Sequence, residues 1–361
     1  MILTYFIILI LSVLSTLPLG STRVVYAYKP SRGEYDALCA FNRPARKMIY
    51  ISFAVLCALL VLCCVFKEET IYDYMMYERN YSMGQTSNHS RELEPTFNWI
   101  VAISPTFLWL LAIYAVISCC GNIYALLRNS PNIFLSMTVF ICFYFVLHSM
   151  VQIRAAAAAA ILLIAIRYIT ERKWWIYFPL CVVAILFHYS AAIFPLLYFF
   201  PHKSLNKWIW ASVLGLATVM SLANIQIGVL VRNIPFAFIQ NYLEAYLGNR
   251  EFTARALNPV FFLKVVCAIF MLFNLQKIRR NYPLAPIVLC LFICSLLAYL
   301  LFADIPVLQT RIGELLGVSE IFALAMFPMV SRKHYYLLCV IPLFIAFYSI
   351  TSSFRLLTEI N

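Results

Sequence analysis

Charge is what this sequence has least of. Asp, Glu, Lys and Arg make up only 12% of its 361 residues and hydrophobic residues 64%, against roughly 25% charged in an average soluble domain. That balance excludes a string of water-soluble domains. A linker, a low-complexity tail and a soluble appendage are also missing, so one domain over residues 1–361 is the economical reading. No apolar stretch has the strict alternation of an outer-membrane strand, which excludes a β-barrel. There is no Cys/His spacing of a metal site, no Asp-x-Asp-like metal pair and no glycine-rich phosphate loop, so no metal or other cofactor is expected. The first run, Met1 to about Leu19, lacks a basic lead and a small-residue cleavage site, and reads as an uncleaved helix with its N-terminus outside.

What the sequence does have is apolar runs long enough to cross roughly 30 Å of hydrocarbon, at about 48–66, 106–127, 132–150, 155–170, 259–276, 284–303 and 335–354, with others between them. In lipid each run must satisfy its own backbone hydrogen bonds, so the expected fold is all-α: a polytopic transmembrane bundle of about 10–12 helices. The twelve cysteines fall mostly inside these runs and read as packing residues. The formal net charge of +12 lies in short clusters between the runs, which suits topology signals and not nucleic-acid binding. Arg43, Arg46 and Lys47, then Arg167, Arg172 and Lys173, then Lys277, Arg279 and Arg280, and finally Arg332 and Lys333 mark one side as cytoplasmic. The acidic segment with Glu68, Glu69, Asp73, Glu78, Glu92 and Glu94 then lies outside. Two external loops are expected, about 67–98 and 226–258. The second carries Arg232, Arg250 and Arg255 with Tyr242 and Tyr246 at helical spacing, a candidate amphipathic surface helix forming a lid or a lip for lipid.

Between Trp174 and Lys207 parity fails. If the basic residues at both ends are cytoplasmic, the apolar stretch from about 175 to 200 must leave and return, and it is too short for two crossings. Pro179, Pro195 and Pro201 favour a broken or re-entrant hairpin turning near His188 and Tyr189; a single crossing with Lys203 outside is the other arrangement.

Ionisable groups at membrane depth are costly, so each asks for a role. Arg154 opens a helix just after Gln152 and ahead of six alanines, Ala155 to Ala160, a smooth face for close helix approach. It is either a snorkelling anchor or, on the external side, a planar fork for an anion such as phosphate. His188 is either a helix–helix hydrogen bonder or a base working near neutral pH. Arg311 either pairs with Glu314 at i,i+3 or binds a ligand. The segment with Asp73, Tyr74 and Tyr77, followed by Glu94, is either an interfacial tyrosine belt or a sugar-binding surface of aromatic faces and carboxylates.

Taken in order, Asp73-Tyr74-x-x-Tyr77, Glu94-Pro95-x-Phe97, Ile153-Arg154 opening an alanine-rich helix, Phe187-His188-x-Ser190-Ala191 and Arg311-Ile312 resemble the EpsG/Wzy family of bacterial polysaccharide polymerases. The resemblance runs from about residue 70 to 330. Each motif is short, and the specificity lies in the ordered set. Two positions depart from the pattern: Ala155 stands where members commonly carry Gln, and Thr96 where they often carry Gly.

The resemblance implies a GT-C-like architecture in the bacterial inner membrane, with the active site facing the periplasm. It implies an inverting, metal-independent transferase for O-antigen, capsule or exopolysaccharide repeat units carried on undecaprenyl pyrophosphate, and a Wzz-like chain-length regulator as a partner. On that pattern Arg154 and Arg311 would stabilise the leaving pyrophosphate and His188 would be the base, with Asp73 or Glu94 as substitutes. Tyr74, Tyr77, Gln152, Tyr189, Ser190, Arg232, Arg250 and Arg255 would contact substrate. An O-antigen ligase uses the same donor, and a lipid-linked oligosaccharide flippase would need charged helices along its path.

Overall fold

The computed structural model describes residues 28–29, 34–35, 43–69, 71, 73–86, 94–223, 225, 258–303, 305–331 and 333–358. Among these the chain is helical throughout apart from a two-residue antiparallel pairing of Tyr28–Lys29 with Glu34–Tyr35. The amino-terminal run and the 226–257 part of the second loop, with Arg232, Arg250 and Arg255, lie outside the described residues.

In chain order the helices are α1 (Arg43–Val65), α2 (Tyr74–Thr86), α3 (Pro95–Ile103), α4 (Phe107–Asn129), α5 (Ile133–Val151), α6 (Ile153–Thr170), α7 (Trp174–Phe187), α8 (Phe194–Leu197), α9 (Lys207–Leu222), α10 (Pro259–Phe273), α11 (Leu275–Arg279), α12 (Ala285–Leu301), α13 (Pro306–Gly317), α14 (Glu320–Met326) and α15 (Tyr335–Thr358). Four of the described helices are long and apolar enough to cross a bilayer, and α13 with α14, bent by 48° at a short break, makes a fifth, broken span. Five shorter apolar helices complete the bundle: α7, α9, α10, α12 and the Tyr335–Ile350 part of α15. The 67–98 segment, expected as a loop, contains two helices, because its aromatic residues fold α2 onto α3 and α4: Tyr74 and Tyr81 pack on Phe107, and Tyr77 on Phe97.

Side-chain hydrogen bonds tie the helix ends together at two poles. At one, Asn129 donates to Leu163 O, Tyr282 to Asn129 O, and Asn132 to the Tyr335 hydroxyl. The basic residues Arg128, Arg167, Arg172, Lys173, Lys277, Arg279, Arg280 and Lys333 adjoin these ends in sequence. At the other pole Lys67 Nζ donates to Met150 O at 2.6 Å, beside Gln152 and Arg154.

The alanine run works by subtraction. Ala155 to Ala160 are all buried, and a Cβ added to Gly121 of α4 would stand 3.0 Å from the Ala160 Cβ, so α4 and α6 meet nearly backbone to backbone. Preceding them, the Phe140–Val151 part of α5 is wound as a wide π-helix, a winding often found next to functional sites.

The 174–200 stretch is a re-entrant hairpin. α7 is 14 residues long, roughly 21 Å, and ends at His188, whose backbone is extended. The chain then returns through a 3₁₀ turn, Tyr189–Ile193, and α8. Its base is locked where it started: Arg172 Nη1 donates to Tyr198 O at 2.6 Å, and the Tyr198 hydroxyl donates to Arg172 O at 3.0 Å. Midway, the Tyr177 hydroxyl satisfies Phe194 O at 2.6 Å. His188, Ala191, Phe194 and Leu197 are buried against the protein while Tyr189, Leu196 and Phe199 face outward, so the broken backbone is packed on protein along one side.

Candidate active site

A small cavity of about 90 Å³ is lined by Asp73, Met76, Tyr77, Gln152, Arg154, Ala155, His188 and Arg311. Four separate parts of the chain line it and a fifth, at Glu94, lies directly behind, and local sequence explains each arrival. Glu94 precedes a proline, which holds it extended (φ −59°, ψ 144°) and puts Pro95 at the start of α3, where its missing N–H costs nothing. Its carboxylate makes no capping bond and turns to the site instead. Arg154 sits in the first turn of α6. His188 is delivered by the tip of the hairpin, and the Thr96 hydroxyl donates to Leu186 O at 2.7 Å, fastening that tip to α3. Asp73 has a left-handed backbone (φ 69°), which Asp tolerates better than most residues, and starts α2. Arg311 comes from α13.

The centre of the arrangement is Glu94. One carboxylate oxygen pairs with Arg154 Nη1, and the other accepts from His188 Nδ1 at 2.9 Å. Their side chains are 4%, 15% and 9% exposed respectively, so the bridge is shielded from solvent. Burial pushes the Glu94 carboxyl up, but the hydrogen bond from His188 and the charge of Arg154 outweigh it and hold the group at about 2. Because the ionised carboxylate can only accept, Nδ1 carries a proton, and in the neutral imidazole the free lone pair is then on Nε2. Nε2 is buried and has no hydrogen-bond partner among the described residues. Behind Arg154, the rings of Tyr77 and Phe97 face the guanidinium at 5.5 and 5.8 Å.

The second arginine is differently placed. Arg311 is exposed, and among the described residues no carboxylate pairs with it. The i,i+3 bridge to Glu314 does not form; Glu314 instead accepts from Gln152 Nε2 at 3.0 Å, which binds α13 to the α5–α6 junction. Asp73, the carboxylate of the cavity wall, is raised by burial above its ordinary value even though Arg311, Arg154 and Lys67 pull the other way. Lys67, beside it, is lowered by burial to about 8.

Of the residues expected at the site, Asp73, Tyr77, Gln152, Arg154, His188 and Arg311 meet in one cavity, and Glu94 lies directly behind it. Tyr77 does not offer its ring to a sugar: it is 3% exposed and packed under Arg154. Tyr74 packs edge-on against Phe107 and does not line the cavity. Tyr189 is exposed and Ser190 half-buried, both outside the lining, because the 3₁₀ turn points them away from His188. Met76 and Lys67 were missed; Met76 follows Asp73 by one helical turn, and that spacing was the available signal. Among the described residues no three His, Cys, Asp or Glu side chains gather in a way that would hold a metal ion.

A sequence profile of the EpsG family matches residues 48–358, most of the chain. The chain belongs to the EpsG family. EpsG membership points to a polysaccharide polymerase, a membrane glycosyltransferase acting on lipid-linked glycans. No curated protein and no solved structure matches the chain. Within this EpsG member, Asp73, Tyr77, Glu94, Arg154, His188 and Arg311 build the bridge and the cavity in front of it, whereas Tyr74 and Ser190 lie outside.

Proposed function

We propose that the chain polymerises oligosaccharide repeat units carried on undecaprenyl pyrophosphate, at the periplasmic face of the bacterial inner membrane. The observation that carries this reading is the Arg154–Glu94–His188 bridge beside Arg311, which pairs with no carboxylate among the described residues. A cation pair suited to a diphosphate and a base with a free lone pair line one small cavity. Orientation follows from charge: the basic clusters adjoin the opposite pole, so the positive-inside tendency turns the cavity outward.

In the proposed step the acceptor hydroxyl oxygen attacks the anomeric carbon of the donor sugar. The bond from that carbon to the pyrophosphate oxygen breaks, and its electron pair leaves with the lipid pyrophosphate. His188 Nε2 takes the hydroxyl proton, and Glu94 stabilises the imidazolium that results. The charge developing on the leaving oxygen is met by the remaining Arg154 donors and by Arg311. Direct displacement inverts the anomeric centre. The lipid pyrophosphate is already an activated leaving group, so the step as written needs no metal. About 90 Å³ takes the phosphates and the reacting atoms but not a glycan, whose remaining sugars must lie outside.

The test is replacement of Arg154 or Arg311 by Ala in a strain depending on this chain, with abundance checked by immunoblot. Single repeat units in place of long chains are expected. Normal long chains from either variant at normal abundance would overturn the reading, and loss of even the single unit would point to a ligase.

A further inference from the structure

A second and larger cavity, of about 240 Å³, lies among α5, α10, α12, α13, α14 and α15. We infer that it is a binding site for a sugar unit of the glycan, on the far side of α13 from Arg154; the inference rests on the function proposed above.

Its most costly feature is a buried ion pair. Lys264 Nζ contacts both carboxylate oxygens of Glu320, at 2.8 and 2.9 Å, with the side chains 14% and 8% exposed. The Tyr144 hydroxyl, whose proton goes to Gly317 O at 2.5 Å, lies 3.2 Å from the same carboxylate. A buried pair of this kind contributes little net stability compared with apolar packing, so stability alone does not explain it. A purely structural pair would also be sealed, whereas this one lines an open cavity.

The lining shows what would fit. Lys264 and Glu320 cancel each other, so an anion would have to displace the carboxylate, and the site suits a neutral ligand. The polar groups offered are mixed. Among the described residues the Tyr299 hydroxyl has no hydrogen-bond partner; Gln309 spends its amide N–H on Tyr299 O at 2.9 Å and keeps its carbonyl. The remaining wall is aromatic: Phe261 meets the Tyr299 ring at 6.1 Å, and Phe143 lies under the Lys264 ammonium at 5.4 Å. Hydroxyls that both donate and accept, together with an apolar C–H face for an aromatic ring, describe a pyranose.

Helix α13 relates the two cavities. Gln309 lines the larger one and Arg311 the smaller; two residues apart, they project at roughly 200° to each other and so on opposite faces. Gly313 and Glu314 repeat the division. A Cβ on Gly313 would stand 2.8 Å from the Tyr299 ring, while Glu314 holds Gln152. One helix therefore separates the anion-binding cavity from the proposed sugar site, close enough for one glycan to reach both.

The experiment is saturation-transfer NMR on the full-length protein in detergent. The probe is the one-repeat oligosaccharide of the producing strain, released from its lipid by mild acid. Wild-type and Arg154→Ala proteins should bind it alike. Tyr299→Phe, which keeps the ring, should weaken binding about tenfold, the loss of one hydrogen bond, and Val260→Phe, which fills the cavity, should abolish it. Absence of binding by wild type, or unchanged binding in folded Tyr299→Phe, overturns the inference. The polymerase reading stands or falls separately, on whether Arg154→Ala lengthens chains.

Discussion

Replacing Glu94 by Gln changes one oxygen for one NH₂ and tests the site at its centre. The carboxylate is nearly inaccessible and serves two cationic or donor groups at once. Removing one partner of a buried pair costs about 3–5 kcal/mol. The guanidinium keeps the Tyr77 and Phe97 faces in both proteins, so they leave that difference unchanged and a loss of about 3–5 kcal/mol in stability is expected. The chemical loss is separable. The amide can present NH₂ to His188 and reverse its tautomer, removing the free Nε2 lone pair, and general-base catalysis is worth about 10²–10⁴ in rate. Because Glu94 acts through His188, Glu94→Gln and His188→Gln should each give that loss, and the double variant no more than the larger of the two. The assay is chain elongation by purified protein from lipid-linked repeat units, with unfolding followed in parallel. A wild-type rate for folded Glu94→Gln, or a double variant whose loss is the product of the single losses, would refute the role of the bridge.

Other outcomes follow from the same coordinates. Glu94 is held at about 2 against an ordinary 4.5, so its contribution to stability is complete above about pH 4.5 and is lost as pH falls towards 2. The melting-temperature gap between wild type and Glu94→Gln should accordingly be full at pH 6 and narrow by pH 3; a constant gap would contradict it. Arg154→Lys keeps the charge but loses the planar fork, and polymerisation by purified protein should drop at least about 100-fold. Gly121→Leu forces α4 from α6 at Ala160 and should destabilise by about 1–3 kcal/mol in thermal unfolding, with no change in the salt dependence of activity. Tyr177→Phe strands Phe194 O inside the hairpin and should cost about 1–3 kcal/mol, read as a lower melting temperature.

Much of this was legible in the sequence because lipid makes charge expensive. Arg154, His188 and Arg311 were conspicuous as polar atoms in apolar surroundings, and the parity of basic clusters with three prolines favoured a hairpin near His188 over a single crossing. What was hidden was pairing. Glu94 looked like one acid in an acidic loop, and nothing local shows that a proline turns it inward onto two partners 60 and 94 residues away. Arg311 and Glu314 had helical spacing for a bridge, yet tertiary contacts gave Glu314 to Gln152. Lys264 carried the same signal as Arg154, a lone cation in an apolar run, but with no motif around it; only its distance to Glu320 distinguishes it. Tyr74 and Tyr77 show the converse, since residue type suggested exposed stacking faces and packing consumed both rings.

The hairpin has one more implication. Its feet are clamped between Arg172 and Tyr198 at one pole, while the imidazole it carries is used at the other. α7 therefore acts as a ruler: one residue inserted or deleted would shift His188 by roughly 1.5 Å and swing it by about 100°. Its lipid-facing side chains, such as Val182 and Val183, are free to drift in identity, but the number of rungs between clamp and tip is not.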